Sequence, residues 1–361
     1  MSDYFEIDFL DVESTKSGDA ICVRYTSNGS TYIHVVDGGF IDTGDKVVDH
    51  INKYYKAPSV VNHVVASHND GDHAGGLRVV LETFDVKALW MLRPWIYSEE
   101  LIPHFSRYTN AANLRKRLRE AYSNLAELES IADRRGIPIY EPFQGAKIGA
   151  FTVMAPTRER FLNLVVESDK TPEAKEAAMA ATTTWGDRLT EMVRKVVNLV
   201  KSAWGEEVFP DEDTSSENEM CVVQYASLCG KSILLTADTG RQGLQEVIDY
   251  APVIGLALPG INRFQVPHHG SRRNVTTELL DKILGERLDS DSEKKTFTAI
   301  ISSAKADEKH PRKVVVRAMH HRGASVVTTE GSNIRTSHNA PDREGWSAAT
   351  PLGYPDEMEE A

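Results

Sequence analysis

The chain has 361 residues, 41 Lys+Arg against 53 Asp+Glu, and a formal net charge of −12. That length can bury a sizeable core, and the composition, 41% apolar and 26% charged, is that of a globular rather than a disordered chain. No apolar run reaches the roughly 18 residues of a spanning helix, the acidic start lacks the pattern of a signal peptide, and three Cys without CxxC spacing exclude a disulfide framework, so the reading is a cytoplasmic protein.

The first forty residues predict strands at Phe5 to Val12, Asp19 to Thr26 and Thr31 to Val36. A helix follows from Asp45 to Tyr55, with Val47, Val48 and Ile51 on one face. Val61 to Ser67 is a short apolar strand that stops at a polar loop; Gly76 to Phe84 predicts a helix and Lys87 to Leu92 another strand. Ala111 to Arg135 is helical and charged, and strands resume at Ile137 to Tyr140 and Lys147 to Ala155. Residues 158–217 form a helical insertion or cap, in which Leu189, Met192, Val193, Val196, Val197, Val200 and Ala203 recur at helical spacing. The acidic stretch Pro210 to Glu219 is the best candidate linker. Strands are expected at Met220 to Ser227, Lys231 to Ala237, Asn262 to Val266, Phe297 to Ser302 and Ser325 to Thr329, with helices at Arg241 to Tyr250, Thr276 to Leu284 and Arg312 to His321. The main unit is 1–335, and 336–361 reads as a loosely packed acidic tail. Strands and helices in this order specify a layered α/β (α+β) fold.

His68-Asn69-Asp70-Gly71-Asp72-His73 places four potential metal ligands in six residues, between a strand and a helix. A loop can converge such side chains, whereas a strand sends them to alternate faces. Gly71 is expected to permit the tight backbone. A two-metal hydrolase needs paired ligand sets, a bridging carboxylate and an activated water. His68 and Asp70 suit one metal, Asp72, His73 and a C-terminal His the other, and Asp238 at a strand end suits the bridge. Of the adjacent His268 and His269, His268 is read as the ligand and His269 as a group that supports a ligand from behind or touches the substrate. Ser271 and Arg272 beside them suit a phosphate.

These motifs resemble the metallo-β-lactamase-fold hydrolases. The loop H-x-D-x-D-H departs from the usual H-x-H-x-D-H, and Asp70 stands where the second His would be, as in the ComEC/Rec2-type branch. Gly18-Asp19-Ala20, Asp37-Gly38-Gly39, Leu234-Leu235-Thr236-Ala237-Asp238, Val266-Pro267-His268-His269-Gly270-Ser271, Ile300-Ile301-Ser302 and His310-Pro311 are similar to further motifs of that branch, in order. The resemblance implies an αββα sandwich and hydrolysis of a phosphodiester, as in a stand-alone nuclease or phosphodiesterase of defence or nucleic-acid turnover. Asp72 and His310 are then catalytic, with His310 giving a proton to the leaving group. The substrate partner is DNA or a nucleotide; a protein partner stays open. The alternatives are a small-molecule ester, lactone or β-lactam hydrolase, and a non-catalytic interaction subunit.

The family takes a further His from mid-chain, but no His lies between His104 and His268 here. Asn218 or Glu219 is the expected substitute. Fewer imidazoles and more carboxylates harden the site, which leaves Zn²⁺ and Mn²⁺ both open for the two divalent ions. Arg115, Lys116, Arg117 and Arg119 form a basic cluster, read as a solvated helix face or a nucleic-acid contact. His320 and His321 are read as surface residues, and His34, His50, His63 and His104 have no motif context.

Overall fold

The computed structural model describes residues 3–12, 14–171, 199–291 and 294–360. Two seven-stranded sheets dominate. The first runs in the order Ile334–His338, Phe5–Phe9, Ala20–Ser27, Ser30–Gly38, His63–Val65, Leu89–Trp90, Ile139–Tyr140. The second runs Ala324–Thr328, Phe297–Ile301, Arg263–Gln265, Lys231–Leu235, Val223–Leu228, Phe151–Ala155, Lys147–Ile148. Both mix antiparallel hairpins with parallel pairs; His34 pairs with His63 and Arg263 with Thr298 across parallel strands.

Side-chain alternation along the second sheet shows its position. Ile233, Leu235, Val153, Ile300 and Val327 join the large core shared with the first sheet. Their neighbours Leu234, Met154, Ile301 and Val326 join a second core with Leu244 and Val247, Leu280 and Ile283, and Val314 and Val315 of the overlying helices. Successive residues of a strand face opposite sides, so this sheet lies between the first sheet and a helical layer. The helices Gly44–Tyr54, Leu77–Thr83 and Ser123–Arg135 bury Val47, Ile51, Leu77, Val80, Leu128 and Ile131 in the core of the first sheet. Helix, sheet, sheet, helix is the αββα layering.

The insertion and the tail differ from expectation. Leu189, Met192, Val193, Val196 and Val197 lie outside the described residues. Arg158–Glu167 is a helix, but Val200 is on the strand Leu199–Lys201, which pairs antiparallel with Glu357–Glu359. Val200 is β-branched and fits either period over so short a stretch, and a distant strand decides the outcome. The linker candidate ends in a helical turn at Ser216–Glu219 whose last three residues are buried. The tail is docked: Arg343 bonds Glu6 and Asp8 at 2.7 Å each, and Glu359 receives the backbone N–H groups of Lys313 and Val314 at 2.8 and 2.9 Å. Glu359 thereby satisfies donors at the start of the helix Lys313–His321. His320 and His321 are buried rather than on the surface, since His321 bonds Glu207 and Tyr354.

Candidate metal centre

The strand His63–Val65 delivers the loop, and Ser67 begins its anchorage. The Ser67 N–H donates to Asp37 Oδ1 at 2.8 Å, and the Asn69 side-chain oxygen accepts from the N–H groups of Asn124 and Leu125 at the start of the next helix. Asp70 caps a single helical turn, Gly71–Ala74. Gly71 is an ordinary first residue of that turn, and a Cβ there would meet only the Asn124 amide at 3.7 Å. The close approach is one turn later: a Cβ on Gly76 would lie 2.0 Å from the Gly38 carbonyl oxygen. Gly76 and Gly38 therefore let the loop's helix close onto the end of the strand carrying Asp37.

His73, fully buried, is the hub. Its Nδ1 contacts Asp37 Oδ2 at 2.9 Å and Asp19 Oδ2 at 3.7 Å, and its Nε2 contacts Asp238 Oδ1 at 3.2 Å. Asp37 thus fixes the ring with Nε2 aimed at Asp238. Asp238 follows Ala237, whose φ of 47° turns the strand end inward. Gln265 holds that turn, since its side-chain oxygen accepts from the N–H groups of Thr236 and Ala237 and its amide donates to Asp19 at 2.9 Å.

His268 and His269 both have left-handed backbone, with φ of 47° and 55°. Two such residues in succession reverse the alternation of a strand, so both rings face the same centre. His269 Nε2 lies 3.7 Å from Asp72 Oδ2 and 3.6 Å from Asp238 Oδ1, while His268 Nε2 lies 3.5 Å from Asp238 Oδ2. Asp72, His73 and His269 bring donor atoms within 4.8 Å of one another, as do Asp19, His73 and Asp238. His269, read from sequence as an outer group, is therefore inside the cluster. Its Nδ1 is satisfied by the Ser302 carbonyl at 2.8 Å. His268 is more exposed, and its Nδ1 meets Asn218 at 2.8 Å and Asn274 at 3.2 Å. Of the two candidates for the missing imidazole, Asn218 thus reaches the site's edge. Glu219 instead accepts from Gly243 N–H at 2.9 Å and pairs with Arg160. His68 Nε2 is 3.8 Å from Asp70 Oδ2, and Asp70 Oδ1 takes Lys170 Nζ at 2.5 Å.

Five buried side-chain atoms of these ligand candidates lack a well-aligned hydrogen-bond partner: Nε2 of His68, His73 and His269, and Oδ1 of Asp19 and Asp238. Buried polar groups are normally satisfied. Imidazole and carboxylate donors left open toward one centre are the donor set of a divalent transition metal, and the residues fit such an ion. Further carboxylates behind the imidazoles give them the orienting partners that metal-site histidines usually have.

Charge follows the same geometry. Burial opposes the charged form of His269, but the Asp238 and Asp72 carboxylates outweigh it and push the ring up to about 9. His73 is raised well above its ordinary value against its own burial, by Asp238 and Asp37. Burial would raise Asp238, yet His268, His73 and His269 hold it well below the carboxylate range. His68 is lowered, first by burial and then by His73. Protons on imidazoles balance the carboxylates, and a bound cation would take their place.

Asp72, His268 and His269 open on a cleft of about 460 Å³ rimmed by Lys16, Ser17, Asp307, Lys309 and His310. His310 Nδ1 bonds Asp307 Oδ2 at 3.1 Å, and Ser17 Oγ donates to the same oxygen at 2.7 Å. Burial lowers His310 to about 4, Asp307 opposing and His269 and His268 reinforcing the shift. At neutral pH the ring is neutral, which differs from the stored proton expected of it. Arg272 points elsewhere, donating to the Glu360 carbonyl at 2.6 Å, and Ser271 Oγ accepts from the Arg273 N–H at 3.4 Å. In the basic cluster, Arg117 pairs with Glu120, Arg119 with Glu129, and Arg115 donates to the Trp95 carbonyl.

Sequence reading missed Asp19 and Asp37 as site residues although both were noted as motif positions, and missed Gln265, Asp307 and Lys170 altogether. Asp37-Gly38-Gly39 after a strand carried a usable signal, because a carboxylate before two glycines at a strand end marks a close approach. Lys170 carried none.

No protein-family model matches the chain, and no curated protein does. Solved structures it resembles include metallo-β-lactamase SMB-1 bound to 2-mercaptoethanesulfonate, at 10% identity, covering 77% of this chain and 86% of that one, with a TM-score of 0.32. The hydrolase AbOPH of the β-lactamase superfamily is 8% identical over 68% of this chain and 75% of that one, TM-score 0.32. An N-acyl homoserine lactone hydrolase with N-hexanoyl-L-homoserine at its catalytic metal centre is 12% identical over 70% and 88%, TM-score 0.28. At these values the site stands on its own residues.

Proposed function

We propose that the chain is a metal-dependent hydrolase acting on a phosphodiester. The observation that carries this reading is the convergence of Asp72, His269 and Asp238 around His73, with His68 grouped on its other side, and buried donor atoms of these residues left open. Leaving such atoms without partners costs stability that a purely structural subunit has no reason to bear. Asp72, His73, His269 and Asp238 would hold a divalent ion, and His68 with Asp70 would offer a second place. A bound ion supplies Lewis acidity, which polarises the scissile group and acidifies water.

The chain's own residues do the rest. Asp37 and the Ser302 carbonyl fix the rings of His73 and His269, so the donor atoms need little reorganisation. Asp307 takes the Nδ1 proton of His310 in a hydrogen bond, which leaves Nε2 as an acceptor to orient a water or a substrate hydroxyl. Lys16 and Lys309 at the rim offer cationic contacts to an anionic substrate, and Asp72, Asp307 and Glu308 on the same lining limit how much negative charge the cleft accepts. The phosphodiester choice rests on these two lysines and on the sequence resemblance to the ComEC/Rec2-type branch; DNA or a nucleotide is the substrate class, and zinc or manganese the ion.

The test is hydrolysis of bis-p-nitrophenyl phosphate, nitrocefin and an acyl homoserine lactone by protein reconstituted with Mn²⁺ or Zn²⁺. Diester cleavage that disappears in Asp72→Ala supports the reading. Cleavage of the lactone or nitrocefin alone refutes the phosphodiester assignment, and no turnover of any substrate with metal bound refutes the hydrolase.

A further inference from the structure

The two halves of the metal loop are provided for differently. Among the described residues, the cationic groups in contact with Asp72 and Asp238 are the imidazoles of the cluster. At the other half, Asp70 has an ammonium on it already: Lys170 Nζ sits 2.5 Å from Oδ1. This lysine is not a loose surface residue. Its turn is pinned by Ser168 and Thr171, both buried: Ser168 Oγ bonds Glu217, the Lys170 N–H donates to Ser168 Oγ at 3.1 Å, and Thr171 Oγ1 donates to the Ser168 carbonyl at 2.7 Å. The backbone of residue 170 is thereby fixed, and its side chain is two-thirds covered.

Among the described residues, the same side of the centre is poor in free ligands. His68 Nε2 has Asp70 Oδ2 at 3.8 Å, the Asp37 and His73 that share a donor group with His68 are bonded to each other at 2.9 Å, and the chain supplies no histidine between His104 and His268. Asn218, the nearest substitute, turns its amide Nδ2 to His268 Nδ1 and Thr214 Oγ1, on the His268 side of the centre. One imidazole and one carboxylate already neutralised by an ammonium make a weak site for a divalent ion.

We propose that the Lys170 ammonium takes the place of a second cation, so that the chain holds one divalent ion tightly, at Asp72, His73, His269 and Asp238, and a second only weakly, at His68 and Asp70. The inference rests on the reading that this centre binds metal, and it departs from the expectation of two bound ions. It assigns Lys170 as a positioning residue: it keeps Asp70 oriented and supplies fixed positive charge beside the reacting group, independent of metal supply.

The experiment is titration of the metal-free full-length chain with Mn²⁺, read by calorimetry and by electron paramagnetic resonance, which separates one isolated Mn²⁺ from a coupled pair. Wild type should take up one ion per chain tightly and the second at least about tenfold more weakly. Lys170→Met removes the charge next to Asp70 and should tighten the second site about tenfold or more while leaving the first unchanged, because a unit charge a few ångströms from a divalent ion repels it even in high dielectric. Lys170→Arg, which keeps the charge, should behave as wild type. Should Lys170→Met fail to fold, Lys170→Gln tests the same loss of charge with the hydrogen-bonding end retained. Two equally tight ions in wild type, or charge-removing variants with an unaltered second affinity, overturn the role of Lys170 while leaving the metal centre standing. A wild type that binds no ion at all removes the metal reading itself.

Discussion

Glu207 lies far from the motif residues, yet its environment predicts a measurable pH dependence of stability. Its carboxylate is fully buried and accepts from Arg322 at 2.7 and 3.1 Å and from His321 at 3.0 Å. Burial alone would raise its pKa, but the His321 and Arg322 bonds outweigh that and hold the group at about 2, against an ordinary 4.5. A difference of about 2.5 units corresponds to about 3 kcal/mol of stability. Because the folded value is the depressed one, this contribution is complete above about pH 4.5 and is lost as pH falls towards 2. At pH 3, between the two values, roughly half of it should remain, by the same linkage. Glu207→Gln keeps the shape and removes the charge, leaving Arg322 with Asp281 at 2.6 Å. Urea unfolding with chelator present should therefore show wild type more stable than the variant by about 3 kcal/mol at pH 7, and by about half that at pH 3. Urea is preferred because guanidinium is itself a salt and would screen the ion pair. A gap that is the same at both pH values, or absent at pH 7, refutes the assignment of the stabilisation to this ion pair.

Other outcomes follow from particular residues. Ala237→Gly should stabilise the chain by about 0.5–1 kcal/mol, seen as a raised melting temperature, because Ala237 is held at a φ of 47° that only glycine adopts without strain. Arg343→Met should cost about 3 kcal/mol in urea unfolding and expose the tail to limited proteolysis, since buried Glu6 and Asp8 each lose a 2.7 Å partner. Asp37→Asn should weaken metal affinity about 10–100-fold by titration with little loss of fold, because an amide whose oxygen keeps the Ser67 N–H turns its NH2, a donor, towards the His73 Nδ1 it must orient.

Much of this architecture is legible in the chain because alternation and periodicity are local. Ile233 and Leu235 against Leu234 report a strand buried on both faces, and Val47 and Ile51 report a helix face. The loop His68 to His73 was legible for the same reason: its ligand types are adjacent in sequence. What was not legible depends on contacts distant in sequence. The strand Leu199–Lys201 exists because Glu357–Glu359 pairs with it, and Arg343 is an anchor because Glu6 and Asp8 are buried beneath it. The roles of His268 and His269 turned on two positive φ values, which no pattern of side chains announces. Lys170 reaches Asp70 across 100 positions, and Asp307 reaches Ser17 across 290.

The central claim is that Asp72, His73, His269 and Asp238 form a metal centre that performs hydrolysis. The most direct measurement is the metal content of wild type and His269→Ala after reconstitution with Mn²⁺ and removal of free ion, paired with bis-p-nitrophenyl phosphate turnover of the same samples. Wild type should retain at least one ion per chain and cleave the diester; His269→Ala should lose both while its circular dichroism spectrum is unchanged, because His269 reaches the centre from a loop at a strand end and its ring carries no part of either sheet. A folded His269→Ala protein that keeps its ion and its turnover would contradict the account.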